Sequence, residues 1–177
     1  MWFLVIKVMR KNIFLLMLLL VACVAVVGCD KINNESLPNY PVRIDLGEYG
    51  KWTTYGVHSL GEYRIFNREK GWPSNFPYNV NTYTGFGGVL LFMGQDIDGS
   101  PAPLAFDLAC PVDHNPDVTV SIDSENLDAY CAKCKSRYDV ITGLGGPKSG
   151  MAIDRKVGLN IYKVRPTSNG GYIITNY

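Results

Sequence analysis

The stretch Val118-Thr119-Val120-Ser121-Ile122 alternates apolar and polar side chains, and a period of two residues is typical of a strand with one buried face. Similar short runs rich in Val, Ile, Tyr and Phe recur along residues 41–177, with Gly, Pro, Asn and Asp between them. Apolar residues never keep a helical spacing there for three turns, so no helix is predicted. The sequence therefore predicts an all-β fold, either an antiparallel sandwich or a barrel.

Nine runs are predicted as strands, namely residues 42–46, 62–67, 88–93, 102–108, 118–123, 129–131, 137–141, 160–165 and 171–175. The last two are joined by residues 166–170. Because Asn169-Gly170 lies in that connection, we expect these two strands to form a β-hairpin.

The first 28 residues differ in composition from the rest of the chain. Lys7, Arg10 and Lys11 precede an apolar run without charge over residues 13–27. A basic segment followed by a short apolar run is the layout of a secretory signal peptide, and the run is shorter than a membrane-spanning helix usually needs. The sequence therefore predicts a signal peptide over residues 1–28, with an uncleaved anchor helix as the alternative.

The apolar run ends in Val26-Val27-Gly28-Cys29-Asp30, which resembles the lipobox of exported bacterial lipoproteins. In those proteins the cysteine is acylated and becomes the first residue of the mature chain. The resemblance implies lipid attachment at Cys29, a lipidated tether over residues 29–40, and a membrane-anchored lipoprotein of the cell envelope that faces the periplasm or the cell surface.

Charge and cysteine content exclude several classes of protein. Residues 29–177 carry 14 basic and 16 acidic side chains, so a broad basic face and a nucleic-acid partner are not expected. Three cysteines remain beyond Cys29, and an odd number cannot all pair within one chain, which excludes a pure disulfide scaffold. With two histidines in the chain, no Ser/His/Asp hydrolase triad is recognisable.

The three cysteines point to a metal site. Cys131 and Cys134 form a C-x-x-C knuckle, which lets two thiolates point at one ion from a tight turn. Cys110 lies 21 residues upstream as a third soft ligand, and His114 is the candidate fourth ligand, with Asp113 as its alternative. Three sulfurs and one imidazole suit tetrahedral Zn²⁺ or an iron–sulfur cluster.

The segment around these cysteines resembles the cluster-binding subdomain of Rieske [2Fe–2S] proteins. That family's pattern is Cys-x-His, then Cys-x-x-His-Gly-Ser-x-Phe/Tyr-Asp, then a Gly-Pro loop and a closing strand. The positions that match are Cys110, Cys131, Ser136, Tyr138, Asp139, Gly146-Pro147, Leu159 and Tyr162. The resemblance implies a Rieske-like domain over residues 41–177 with an inserted cluster-binding subdomain at about 107–152. It also implies that the Ser136 and Tyr138 hydroxyls donate hydrogen bonds to cluster sulfurs.

The chain departs from this pattern at both histidine positions, which hold Val112 and Cys134, and Lys135 stands in place of the glycine. An intact Rieske centre needs two Cys on one iron and two His on the other. Three outcomes stay open at this point. The cysteines and the fourth ligand hold a modified [2Fe–2S] cluster, or they hold a structural Zn²⁺ ion, or the site is metal-free. An oxidising compartment favours the last, with a disulfide from Cys110 to one of the other two cysteines.

The function expected from the resemblance is single-electron transfer at the cell-envelope membrane by a carrier or subunit rather than a complete enzyme. Its partners would be the membrane, through the lipid anchor, and a redox protein. The alternative is a binding or structural lipoprotein that keeps the fold without a cofactor or with zinc.

Overall fold

The computed structural model describes residues 31–177, so the predicted signal peptide and the predicted lipid attachment at Cys29 lie outside the described residues. The strands are β1 (Val42–Glu48), β2 (Tyr63–Phe66), β3 (Tyr83–Thr84), β4 (Val89–Gln95), β5 (Pro101–Asp107), β6 (Ala109–Cys110), β7 (Asn115–Thr119), β8 (Ser121–Asp123), β9 (Asp128–Tyr130), β10 (Arg137–Asp139), β11 (Pro147–Ser149), β12 (Ile161–Pro166) and β13 (Gly170–Thr175). The helices are α1 (Tyr49–Tyr55) and α2 (Met151–Arg155). Within this part of the chain, no helix is both long and apolar enough to cross a membrane.

Seven strands form one antiparallel sheet in the order β2-β4-β5-β12-β13-β1-β3, which curls into a nearly closed barrel. The all-β prediction is therefore confirmed, with the barrel rather than the sandwich. The predicted hairpin at the end of the chain is also confirmed, since β12 and β13 pair antiparallel from Lys163↔Thr175 to Pro166↔Tyr172.

The chain leaves the large sheet after β5 and returns to it with β12, which pairs with β5. Between them, β8 to β11 form a four-stranded sheet and β6 pairs with β7. We call residues 108–160 the small subdomain. It contains the three cysteines of the predicted metal site.

Strand β4 holds the two parts of the fold together because both of its faces are buried. Val89, Leu91 and Met93 face the core of the barrel, while Leu90 and Phe92 join the core that includes the cysteines. Successive side chains of a strand point to opposite faces, so the sequence of a strand with a core on each side is a continuous apolar run. The small subdomain is thus packed on the outer face of the barrel sheet.

The expectation of no helix after residue 41 is wrong for two short segments. Helix α1 has 7 residues and contributes the buried Trp52 to the barrel core, and α2 has 5 residues and buries Ala152. Helices this short make too few turns to show the three-turn periodicity on which sequence recognition depends.

The predicted tether contacts the head at several positions. The Asn33 N–H donates to the carbonyl of Lys156 at 2.8 Å, and the Gly158 N–H donates to the carbonyl of Asn33 at 2.9 Å. Leu37 is buried. The compact unit formed by the head thus includes the chain from Ile32 onward.

Candidate metal centre

Two hairpin loops of the small subdomain bring the cysteines together. The loop between β9 and β10 is a tight knuckle in which the Lys135 N–H donates to the carbonyl of Cys131 and the Cys131 N–H donates to the carbonyl of Ser136, both at 2.9 Å. Lys135 has a φ of 60°, in the left-handed region where the Rieske pattern has glycine. These bonds fold the C-x-x-C segment so that Cys131 and Cys134 lie on the same side of the turn, as predicted.

The loop between β6 and β7 supplies the other ligand candidates. The carbonyl of Cys110 accepts hydrogen bonds from the N–H groups of Asp113 and His114, both at 3.2 Å. His114 has a φ of 51° and is exposed, whereas Asp113 is partly buried and turned towards the knuckle. The Arg155 guanidinium fixes this loop from α2 by donating to the carbonyl of Val112 at 2.8 Å.

The ligand atoms of Cys110, Asp113, Cys131 and Cys134 all lie within 4.8 Å of one another. The Sγ atoms of Cys110 and Cys134 are 3.4 Å apart, and Sγ of Cys131 is 3.6 Å from Oδ2 of Asp113. Three of the four predicted ligands therefore meet, and the fourth member of the group is Asp113, the alternative to His114. The turn after Cys110 explains the difference, because it points the Asp113 side chain inwards and the His114 side chain outwards.

The spacing of these four atoms fits one ion. In a tetrahedral site with Zn–S bonds of about 2.3 Å, neighbouring sulfurs lie about 3.8 Å apart. A [2Fe–2S] cluster instead needs two separated pairs of ligands, one for each iron, and a Rieske centre needs two histidines on the second iron. Val112 and Cys134 occupy the histidine positions, and His114 lies outside the group. The donor set does not fit a Rieske cluster and fits a single tetrahedral metal ion.

All three cysteines are free thiols that are buried from solvent. A disulfide has sulfurs about 2.05 Å apart, and the 3.4 Å between Cys110 and Cys134 is a non-bonded contact. The pairing of Cys110 considered from the sequence is therefore not formed here.

Two hydroxyl groups contact the ligand sulfurs. The Ser136 Oγ lies 3.2 Å from Sγ of Cys134 and accepts a hydrogen bond from the N–H of Ala152 at 3.1 Å. The hydroxyl of the fully buried Tyr138 lies 3.5 Å from Sγ of Cys110. The resemblance predicts both hydroxyls as hydrogen-bond donors to cluster sulfurs; in the structure each lies next to a cysteine sulfur of the site.

The protonation of the thiols depends on their surroundings. Burial raises the pKa of the Cys110 thiol and of the Cys131 thiol. Burial acts in the same direction on Cys134, but hydrogen bonds from the side chain and backbone of Ser136, together with those from Cys110 and Cys131, outweigh it and lower the pKa of Cys134. Metal ligation requires thiolates, so a metal ion bound here displaces protons from the cysteines.

Lys133 lies beside the candidate ligands and was not predicted as a site residue. Its Nζ lies 2.8 Å from Oδ1 of Asp113. Burial raises the pKa of the Asp113 carboxyl, but the hydrogen bonds from Lys133, Cys110 and Cys131 and the charge of Lys133 together outweigh it and lower that pKa. The ammonium group holds the carboxylate in place and offsets part of the negative charge of the ligands. The only signal in the sequence was its position inside the C-x-x-C knuckle.

No protein-family profile matches this sequence, and no curated protein is significantly similar to it.

Proposed function

We propose that residues 31–177 form the head of a lipid-anchored envelope protein in which one Zn²⁺ ion fixes the fold of the small subdomain. The ligands are Cys110, Asp113, Cys131 and Cys134. The observation that carries this proposal is that four ligand atoms from two hairpin loops lie within 4.8 Å of one another in a buried group. The lipid anchor rests on the leader and on Cys29 and is part of the same proposal.

A structural role suits this site better than a catalytic one. Catalytic zinc sites keep a coordination position open for water or substrate, whereas structural sites have four protein ligands. Here three thiols are buried, and the Asp113 side chain is only 9% exposed. Four protein ligands leave no position for a substrate. The ion would instead join the two loops, each of which is a short hairpin, so that metal binding contributes directly to folding.

Single-electron transfer through iron bound to the same four residues is the second candidate function. The positions of the Ser136 and Tyr138 hydroxyls favour it, because hydrogen bonds to ligand sulfurs adjust the reduction potential of iron–sulfur sites. These positions, together with the two facing hairpin loops, also support the resemblance to Rieske proteins. A membrane-anchored carrier of this kind would exchange electrons with a redox protein partner.

Metal content of the native full chain, purified without oxygen, tests the proposal. We expect one zinc per chain, no acid-labile sulfide and no visible absorption. One iron per chain with an EPR signal would support the second candidate. Two irons with sulfide would refute the single-ion site, and protein without metal would refute both candidates.

Two adjacent residues provide a matched pair of variants for the fourth ligand. Asp113→Ala should lose most of the bound zinc, because it removes a ligand from the group. His114→Ala should keep it, because that side chain is exposed and lies outside the group. If His114→Ala lost the zinc and Asp113→Ala kept it, the fourth ligand would be His114.

A further inference from the structure

The head begins very close to the proposed lipid anchor. Cys29 precedes Ile32 by three residues, and a fully extended chain spans at most about 3.6 Å per residue, so their Cα atoms are separated by no more than about 11 Å. An acylated Cys29 must lie at the membrane surface, since its acyl chains are buried in the bilayer. The part of the head that surrounds Ile32 is therefore held near the lipid headgroups. This argument rests on the lipid anchor of the proposed function.

Three segments of the head meet at this place. The Asn33 backbone bonds to the backbone of Lys156 and Gly158, and the Asn34 side chain donates to the carbonyl of Leu144 at 2.9 Å. Segments 32–34, 144–146 and 153–158 are thus neighbours. We call the surface formed by residues 32–34 and 144–157 the anchor-side face.

Large apolar side chains are exposed on the anchor-side face, namely Ile32 (40%), Leu144 (69%), Met151 (44%) and Ile153 (48%). Single exposed apolar residues are normal on protein surfaces, but several on neighbouring segments mark an interaction surface. Leu144 is at the tip of a loop and Ile153 is on α2, and both side chains are exposed. Packing within the head therefore does not explain why these two residues are apolar.

The charge of the anchor-side face differs from that of the whole head. Residues 144–157 contain Lys148, Arg155 and Lys156 against one acid, Asp154, whereas residues 29–177 as a whole are slightly acidic. Basic groups of this face also have partners within the head: Lys148 lies 3.6 Å from a carboxylate oxygen of Asp128, and the Arg155 guanidinium donates to the carbonyl of Val112 at 2.8 Å. Basic residues beside exposed apolar ones are the combination that binds the interface of an anionic bilayer.

We propose that the anchor-side face lies against the membrane, with its apolar side chains at the headgroup level and the net positive charge of residues 144–157 close to anionic lipid headgroups. The short connection to Cys29 and the local positive charge both favour a bilayer over a protein partner. In this orientation α2 separates the metal centre from the bilayer, because the Ala152 N–H bonds directly to Ser136 beside Cys134. The metal centre would therefore lie just behind the membrane-facing surface.

Hydrogen exchange of the native lipidated chain in vesicles of phosphatidylcholine and phosphatidylglycerol tests the orientation, with the unlipidated Cys29→Ser chain in buffer as reference. Mass spectrometry first establishes acylation of Cys29. We expect backbone amides of residues 143–157 to exchange at least about fivefold more slowly in vesicles, because lipid contact excludes solvent. The turn around Ile97, which is fully exposed, should not change.

Two variants distinguish membrane contact by the anchor-side face from attachment through the lipid anchor. Leu144→Ser combined with Ile153→Ser should remove the protection while the protein stays attached to vesicles. Ile97→Ser should keep the protection. Equal exchange with and without vesicles in an acylated protein would overturn the orientation and leave the zinc proposal intact. A native protein without acyl chains would overturn both the orientation and the lipid anchor, whereas the metal measurement would stand separately.

Discussion

Replacement of Asp107 by Asn should destabilise the head strongly, because this carboxylate accepts four hydrogen bonds inside the protein. Oδ1 accepts the N–H groups of Gly87 at 3.1 Å and Ala109 at 2.7 Å. Oδ2 accepts the N–H of Phe86 at 3.1 Å and the hydroxyl of Tyr162 at 2.5 Å. Asp107 is 1% exposed and ends β5, where the chain enters the small subdomain.

The size of the effect follows from the number of donors. An Asn side chain has one acceptor oxygen, so two of the four donors would face an NH₂ group that cannot accept. A buried donor without an acceptor costs about 1–3 kcal/mol, which gives a loss of about 2–6 kcal/mol in the free energy of unfolding. That is a large part of the roughly 5–15 kcal/mol that keeps an ordinary domain folded.

Urea denaturation of the Asp107→Asn variant, at a fixed zinc concentration, measures this loss as a lower midpoint with an unchanged slope. Tyr162→Phe removes one donor without leaving another unsatisfied, so we expect a smaller loss of about 1–2 kcal/mol. Asp154→Asn, on the exposed side of α2, should stay within about 0.5 kcal/mol of the wild type. A loss below 1 kcal/mol for Asp107→Asn would refute this reasoning.

Three further predictions concern the metal centre, the turn before α2 and a carboxylate next to β2. Lys133→Met should weaken zinc binding about 10- to 100-fold in a chelator competition, because it removes the ammonium group paired with the Asp113 carboxylate. An unchanged zinc affinity would show that this ion pair is dispensable. Gly150→Ala should lower the free energy of unfolding by about 1–3 kcal/mol more than Gly99→Ala. The φ angle is 80° at both glycines, but only at Gly150 would an added Cβ meet a backbone oxygen, at 2.7 Å. Equal losses of stability in thermal unfolding would contradict this. At Glu62, two backbone N–H groups and Arg64 together outweigh the effect of burial and lower the pKa of the carboxyl. The ionised carboxylate therefore stabilises the fold above about pH 4.3, and this stabilisation is lost as the pH falls through the folded-state pKa. The free energy of unfolding of Glu62→Gln should consequently fall less on acidification than that of the wild type.

Most of the longer strands were predictable because they have a local signature, such as the continuous apolar run that became β4. The predicted strand 118–123 is wrong as a single strand, because β7 ends at Thr119, β8 begins at Ser121, and the two belong to different sheets. The short strands β3, β6 and β11 were not predicted. The packing of residues 32–40 could not be predicted in this way. Asn34 bonds to carbonyls of residues more than a hundred positions away, and no local periodicity records such contacts.

The candidate site was predictable in its residue types and less so in its geometry. The spacing of the cysteines named three ligands, and the Ser136 and Tyr138 positions followed from the resemblance. The choice between Asp113 and His114 depends on a turn in which both N–H groups bond to the same carbonyl and only one side chain points inwards. Two adjacent polar residues in a loop give no sequence signal for that choice.

X-ray absorption at the metal edge of the native protein tests the single-ion site most directly, because it counts the donor atoms. The proposed site predicts zinc with three sulfur neighbours at about 2.3 Å and one oxygen neighbour at about 2.0–2.2 Å. An imidazole scattering pattern would make His114 the fourth ligand. Iron with a second iron and bridging sulfides would contradict the single-ion site altogether.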